Sequence, residues 1–525
     1  MYPMKKILSA TALLAVLQLA NSCQINEEFK GTLRGSQISG SGGNAAALLD
    51  GVYLSMRSPF QGATQVFAMS EVTTDERIMP TRGGDWDDNG KWRQLHQHNW
   101  DADHPEVRDA FNNLNGVVFA ATDMLRFSPN TQQQAEARFL RAWAMYWELD
   151  LYDQVPYREP GENENLASRV RKGTEALTYI ISEVTAVRND LPDAPANRAT
   201  KNAARALLMK CYLNRGVYAN RTTPTFAAAD MNLVIGLADE IITSNRYRFA
   251  ANYFDNFAPN NTAIGTENIF TELNEGGISS GAQFDLWRFI SHYNMTPTGY
   301  NGPCALSEFV DKFEARDIRK GIAYRYQNGP ANPGNRVNVG FLVGQQYNLT
   351  TDVPLVDRTG APLAFTPTVK IIETDASSLE RTGIRPMKYP PDFTNNGAGT
   401  IDNDMVHLRL PDILLMKAEA ILRGGTGTTA GAYGSTPLAL VNSIRTDPSR
   451  NASALAAVDL NVLLDERGRE LYLELWRRQD MIRFGKFLGP IQEKPQTSAN
   501  TYLIFPIPNQ QIAVNSNLVQ NPGYQ

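Results

Sequence analysis

The chain has 525 residues, 42% of them hydrophobic and 20% charged, with a formal net charge of -5. This composition suits a packed body of one large domain or two to three ordinary ones, and it excludes wholesale disorder. The acidic balance and the lack of a polybasic stretch give the surface no electrostatic reason to hold nucleic acid, and no nucleic-acid partner is expected.

In chain order, the first feature is a leader. Lys5 and Lys6 precede an apolar run from Ile7 to Leu19, which ends in Ala20-Asn21-Ser22-Cys23. The run is too short for a stable membrane span, and small residues stand where a signal peptidase cuts. Residues 1–22 therefore read as a lipoprotein signal peptide, with Cys23 as the lipid-bearing new N-terminus. The alternative is an ordinary secretory signal with an incidental cysteine. Acyl chains at about 0.8 kcal/mol per buried methylene would hold the protein durably on a membrane. Gln24, Asn26, Glu27 and Glu28 follow as a solvated tether. No later apolar run is long enough for a transmembrane helix.

Helical periodicity then marks two regions. In the first, Ala135–Tyr152 places Phe139, Trp143, Tyr146 and Trp147 on one broad apolar face, a core pattern, and Pro156 penalises continuation. Gly173–Asn189 and Lys201–Asn214 follow, the latter with Gly216 as its expected cap. In the second region Asp412–Leu422, Pro437–Arg445 and Asp459–Phe484 read as helices. Asn268–Glu272, Gly340–Val343 and Tyr502–Pro506 read as short strands, and secondary structure is expected to be sparse between Asn274 and Asn403. Charged residues from Asp465 to Arg483 would lie along one helix; Glu466–Arg469 and Glu470–Glu474 have helical-neighbour spacing, which suggests structural ion pairing. The pairs read as helix–turn–helix units of tetratricopeptide geometry without a strict repeat.

Of the remaining cysteines, Cys211 shares an apolar helical face with Ala204, Leu207 and Leu208 and is expected as a buried free thiol; pairing with Cys304 is the alternative in an oxidising compartment. His96 and His98 would face one side of a strand, compatible with a metal only if His104 joined them. Asp402-Asn403-Asp404 and Asp85–Asp88 offer oxygens that suit a structural calcium ion, without the spaced loop of a known motif. No other cofactor is called for, and no nucleophile elbow, zincin, phosphate-binding or dinucleotide motif appears, so no enzyme activity is expected.

Five segments, in order, resemble the SusD/RagB family of outer-membrane nutrient-binding lipoproteins. Glu136–Tyr157 (EARFLRAWAMYWELDLYDQVPY) resembles the family's helix with an LYG-VP end, Asp153 replacing Gly. Arg198–Gly216 (RATKNAARALLMKCYLNRG) resembles its RATK helix. His407–Leu422 (HLRLPDILLMKAEAIL) resembles R-AD-LLM-AEAL, with Pro411 for Ala. Leu463–Phe487 (LLDERGRELYLELWRRQDMIRFGKF) resembles ILDER-REL--EG-RW-DLIRWG, departing at Leu475 and Gln479. Phe505–Tyr524 (FPIPNQQIAVNSNLVQNPGY) resembles -PIP--EI--N-NL-QNPGY, with Gln511 for Glu.

The resemblance implies an all-α scaffold of tetratricopeptide-like helix pairs decorated by long irregular loops and a few short strands. It divides the mature chain into an N-terminal region (23–272) with the tetratricopeptide-like helices and a C-terminal region (273–525) with a loop-rich insert and closing helices. It implies that the protein, lipid-anchored at the outer membrane and facing outward, captures an oligosaccharide or polysaccharide. The glycan would pass to a SusC-like TonB-dependent transporter, over which the protein closes as a lid. A lipid-anchored glycosidase and a peptide-capturing member of the same family are the alternatives.

Capture of a glycan without chemistry needs aromatic faces for sugar rings and polar groups for their hydroxyls. Thr73–Trp100 offers Trp86 foremost, then Trp92, beside Asp75, Arg82 and Asp85, with Gly83-Gly84 permitting a sharp bend; Trp100 reads as core. Phe284–Cys304 offers Trp287, Tyr293, Tyr300, Asn301 and Cys304; for Trp287 and Phe289, anchoring of the loop to the body is an equal reading.

Overall fold

The protein is described by a computed structural model in which residues 45–395 and 400–524 are placed. The leader and Cys23 lie outside the described residues. The helix expected over Ala135–Tyr152 forms over Thr131–Tyr152. It starts on a capping box, in which the Asn130 side chain accepts from the Gln133 N–H and the Gln133 side chain accepts from the Asn130 N–H. It stops at Asp153, which adopts the left-handed conformation with φ 59°. There the Arg221 guanidinium donates to the Asp150 carbonyl, an acceptor at the helix end, and to the Leu149 carbonyl, which also accepts the Asp153 N–H. The chain then pairs Gln154–Tyr157 with Arg169–Lys172, so Pro156 sits in an edge strand, where its missing N–H is tolerated.

Trp143, Tyr146 and Trp147 are fully buried on this helix, as their spacing predicts. Their rings form an edge-to-face cluster with Phe60, Phe270, His407 and Trp476, with Trp147 stacked on Trp476. Helices Gly173–Val187, Lys201–Leu213, Leu410–Leu422 and Pro437–Arg445 form close to their expected bounds. Helices also form over Ala45–Phe60, Pro105–Met124 and Ala228–Thr243, outside the segments that periodicity singled out. Sequential helices pack on one another: Pro105–Met124 on Thr131–Tyr152, Lys201–Leu213 on Ala228–Thr243, and Leu410–Leu422 on Pro437–Arg445. The result is an all-α scaffold of tetratricopeptide-like pairs with few, short strands. Among the described residues, no helix is long and apolar enough to cross a membrane.

Residues 45–525 form one compact unit. The sequence division at 272/273 follows no seam within it, because Asn268–Glu272 pairs antiparallel with Met405–Arg409 and Ala228–Thr243 packs on Leu410–Leu422.

Four local expectations are corrected. Gly216 does not terminate its helix; Asn214 does, and Gly216 lies inside a further helix, Arg215–Ala219, where a Cβ would meet the Thr225 carbonyl oxygen at 1.7 Å. Tyr502–Pro506 is no strand: Asn500–Leu503 is a 3-10 turn, and Phe505 makes its N–H bond to Leu151 O at a helix end, with no partner strand. His96 ends the Lys91–His96 helix and bonds the carbonyls of Val72 and Gln492, while His98 lies in the following turn and bonds Thr73 O, so the two do not share the face of a strand. Cys211 and Cys304 are both buried and free.

The fourth correction is the largest. Asp459–Phe484 is not one helix but two, Leu460–Leu471 and Arg477–Arg483, with Leu473 at φ 56° and Leu475 at φ 75° between them. A leucine gains nothing locally from that conformation. It is held from outside: the Leu473 N–H donates to Glu76, the Leu475 N–H donates to Glu71, and the Lys388 ammonium donates to the Tyr472 carbonyl. Glu470 thus stands at the end of the first helix and Glu474 within the break, and both accept from Arg409. Around them lies a buried ionic core. Arg450 bridges Glu267 (2.6 Å) and Glu470 (2.6 Å), and Arg319 bridges Asp317 (2.7 Å), Glu466 (2.7 Å) and Glu470 (2.9 Å). Burial pushes the Glu470 carboxyl up, but Arg450, Arg409 and Arg319 outweigh it and hold the group well below the usual carboxylate range. The expected Glu466–Arg469 ion pair is also present, at 2.7 Å.

Candidate functional site

Short strand pairings bring the two candidate loops together. Arg77–Ile78 pairs antiparallel with Cys304–Ala305, and Thr81–Arg82 pairs parallel with Ile372–Glu373. Arg82 and Asp85 exchange backbone hydrogen bonds of 2.9 and 3.0 Å around Gly83-Gly84, with Gly83 at φ 61°. This tight turn is what the two glycines permit. It lifts Trp86, itself at φ 61°, onto the other loop.

The half-buried Trp86 ring is fixed on three sides. Its Nε1 donates to the Tyr300 carbonyl at 3.0 Å. Its ring meets Phe289 edge-on at 5.0 Å, and Phe289 in turn meets Tyr300 at 5.8 Å. It also lies against Gly302, where a Cβ would come within 2.3 Å of the indole. Tyr300 is 44% exposed, with the Arg288 guanidinium 5.0 Å from its ring centre. Beside this platform, the Tyr293 hydroxyl donates to Asp85 at 3.3 Å and the Arg358 guanidinium covers the Tyr293 ring at 3.9 Å. Burial first, then the Asp85 carboxylate, pushes the Tyr293 phenol up. An open depression of about 510 Å³ is lined by Trp86, Phe289, Tyr293 and Tyr300 together with Asp85, Asp88 and Lys91. A smaller recess of about 70 Å³ adjoins it, between Tyr293, Arg358 and Glu380. Aromatic edges and faces bordered by carboxylate, ammonium and guanidinium groups suit a ligand with apolar ring faces and a polar rim.

The sequence candidates divide by depth. Trp86, Asp85, Tyr293 and Tyr300 line the depression. Trp92 borders it but is only 2% exposed; its Nε1 donates to Asp88 and Lys91 lies over its ring, so it props the loop from beneath. Arg82 is buried and donates to the carbonyls of Leu379, Thr382 and Gly302 and to the Thr382 hydroxyl. Asp75 is withdrawn entirely, bound in a two-pronged ion pair by Arg477 at 2.7 Å and by Lys312 at 3.0 Å. Burial would raise the Asp75 carboxyl, yet these cations hold it far below the usual range. Trp287 is 2% exposed and packs with Ile290, Leu342, Phe365 and Met387. Asn301 accepts from Arg385, and the Cys304 Sγ receives both Arg82 and Arg385 at 2.9 Å. These buried residues join the loops to each other; Arg82 and Asn301 also line the smaller recess, whereas Asp75, Trp287 and Cys304 line neither cavity, and for these three the expected ligand contact is corrected by their burial.

Phe289, Arg358 and Glu380 belong to the site and were not among the candidates. Phe289 stood in the quoted segment but read as an anchor; Arg358 and Glu380 lie in irregular chain with no periodic or motif signal. Glu380 holds Arg358 in place and also contacts His292 Nε2 at 2.9 Å. Among the described residues, no group of three or more His, Cys, Asp or Glu could hold a metal ion.

Comparison with known proteins agrees with this architecture. The SusD family model matches residues 266–497. The starch-binding protein SusD of Bacteroides thetaiotaomicron is 25% identical over 505 residues, covering 87% of this chain and 85% of the relative. The SusD-like protein P2 of Formosa agariphila is 25% identical over 416 residues, covering 74% of each. Among solved structures, a laminarin-binding SusD-like protein superposes with a TM-score of 0.67 at 19% identity, over 91% of this chain and 99% of that one. The surface glycan-binding protein A of Bacteroides thetaiotaomicron, in complex with laminarihexaose, gives 0.66 at 16% identity, over 91% and 98%. Motifs, fold and family match agree: residues 266–497 match the SusD family, and the chain is similar to SusD-like proteins over most of its length.

Proposed function

We propose that this protein is a cell-surface glycan-capture lipoprotein, held to the outer membrane by a lipid on Cys23, that hands its ligand to a SusC-like TonB-dependent transporter and closes over it. The observation that carries this reading is the aromatic platform of Trp86, Phe289 and Tyr300. It is built from two distant loops, kept partly open to solvent, and fringed by Asp85, Tyr293 and Arg358. A large ring in a glycine-bent loop, half out of the core and locked by its own N–H, has little structural justification unless a flat ligand uses it. The relatives named for binding starch and laminarin support a carbohydrate ligand. Ligand held at a transporter's mouth raises the local concentration for uptake, and that task requires no catalysis.

The test is a glycan array followed by calorimetry on wild type and Trp86→Ala. Binding without hydrolysis, weakened by at least about 1 kcal/mol in Trp86→Ala, is expected if the ring stacks on sugar. Hydrolysis of a bound glycan would make the protein a glycosidase. A folded variant with unchanged affinity would remove Trp86 from the site. Co-purification with a TonB-dependent transporter, lost in Cys23→Ala cells, tests the anchor and the partner together.

A further inference from the structure

The Asn294–Pro297 stretch, which follows Tyr293 in the chain, lines a second cavity, of about 300 Å³. Its walls come from the irregular chain around the Val339–Leu342 strand, including Tyr326, Tyr347 and Phe393. Tyr326 and Phe393 meet edge to face at 4.7 Å and form one aromatic wall. At Tyr347 the ring carries the Arg336 guanidinium at 3.7 Å.

The polar lining differs in kind from that of the Trp86 depression. Among the described residues, Arg336 is the one charged side chain that lines the cavity, and Asp352 neutralises it through contacts of 2.8 and 3.2 Å. The remaining polar lining is made of amides and hydroxyls; Asn338 spends both ends of its amide on the Tyr324 backbone, and the other amides are half used. The Asn348 carbonyl oxygen accepts from the N–H groups of Thr350 and Thr351, which leaves its NH2 to the cavity. Gln345 spends its NH2 on the carbonyls of Gln346 and Leu355, leaving its oxygen. Asn294 spends its NH2 on Val356 O, leaving its oxygen likewise. Gln346 likewise spends its NH2 on Gly344 O and keeps its oxygen, so the cavity offers one amide donor and three amide acceptors beside aromatic surface, with no unneutralised charge. A hydroxyl both donates and accepts, so this lining matches a ligand rich in hydroxyls and free of ionic groups, whereas an anion or a charged peptide would find no counter-charge. The volume is at the small end of the range for ligand pockets, about 300–1,000 Å³.

We infer that this cavity is a second subsite, which takes a short stretch of an uncharged oligosaccharide whose neighbouring part lies on the Trp86 platform. The inference rests on the glycan-capture reading and narrows it: the captured glycan is neutral over the segment that reaches Tyr347. The shared loop makes the arrangement local, since Tyr293 and Asn294 are adjacent in the chain and line the two cavities separately.

The test uses the full-length protein in detergent and calorimetry with laminarihexaose, maltohexaose and cellohexaose, the corresponding trisaccharides, and sulfated and uronic-acid oligosaccharides. Two variants probe the cavity: Tyr347→Ala, and Val343→Trp, which fills the mouth from a residue that is 48% exposed and can enlarge without disturbing the core. Either should lower the affinity for the bound neutral hexasaccharide about 3- to 10-fold, as expected for the loss of one ring contact, and leave the trisaccharide affinity unchanged. Trp86→Ala should weaken both. Hexasaccharide affinity unchanged in Val343→Trp but lost in Trp86→Ala would overturn the second subsite and leave glycan capture standing. Binding confined to the acidic oligosaccharides would overturn the neutral subsite alone, and binding to no glycan would overturn both.

Discussion

The scaffold and the loop cluster both rest on buried arginines, but they neutralise them in opposite ways. In the scaffold, Arg319, Arg409 and Arg450 are each held by carboxylates, and their partners lie far apart in the chain. In the loop cluster, Arg82 and Arg385 are equally buried, yet their partners are the carbonyls of residues 302, 379, 380, 382 and 383, the Asn301 amide and the Cys304 sulfur. The difference follows from what each region must satisfy. Helices consume their own carbonyls, so a guanidinium among them must find acids. Irregular loops leave carbonyls unpaired, and a five-donor fork can gather several of them at once. A buried ion pair fixes register between elements, while a carbonyl-collecting arginine gives a sheet-poor loop cluster its shape.

The sharpest way to break this comparison is Glu470→Ala, which takes one buried carboxylate partner from each of Arg409, Arg450 and Arg319. A loss of about 3–5 kcal/mol in chemical denaturation is expected. The acid limb of the stability curve tests the same core without mutation. The carboxyls of Glu466 and Asp480 are held down to about 2, because Arg319, Arg469 and Arg445 at the first and Arg467 and Arg483 at the second outweigh their burial. Depressed carboxylates contribute stability that is complete above their ordinary values of 4.5 and 3.8 and lost as pH falls toward 2. The melting temperature should therefore hold steady down to the upper value and then drop steeply; a fall beginning near neutrality would contradict the assignment.

Arg82→Ala should cost about 2 kcal/mol, less than the scaffold change, because the carbonyls it abandons are neutral acceptors. It should also reduce glycan affinity, since the two loops lose their clamp. Equal losses for Arg82→Ala and Glu470→Ala would erase the distinction between the regions. The finest change is Gly302→Ala. Its methyl would meet the Trp86 indole at 2.3 Å and push the ring from its seat. Stability should change little, while glycan affinity falls by about as much as in Trp86→Ala, roughly 1 kcal/mol. Wild-type affinity would show that the platform tolerates a displaced ring.

Much of the scaffold was legible because its signals are local. The apolar face of Phe139, Trp143, Tyr146 and Trp147 needed only helical spacing, and Pro437–Arg445 begins and ends where its sequence says, with Thr436 capping it through the Ala439 N–H. The break at Leu473 and Leu475 was illegible for the opposite reason. Its sequence favours helix, and the forces that overrule it come from Glu71, Glu76 and Lys388, which lie far off in the chain. The same holds at the site. Gly83-Gly84 and Trp86 announced an exposed, bent loop, but nothing in the spacing of Asp75, Trp92 or Trp287 told a ligand-facing side chain from a buried anchor.

The sequence by itself determined the fold class, the aromatic core of the long helix and the two loops that carry the platform. These follow from periodicity, composition and residue chemistry within short windows. Only the tertiary structure decided which aromatics face solvent, that Arg358 and Glu380 border the site, and that Asn294, next to Tyr293 in the chain, lines an amide-rich cavity. Exposure and partnership in irregular chain are set by contacts between residues hundreds of positions apart, and no local pattern encodes them.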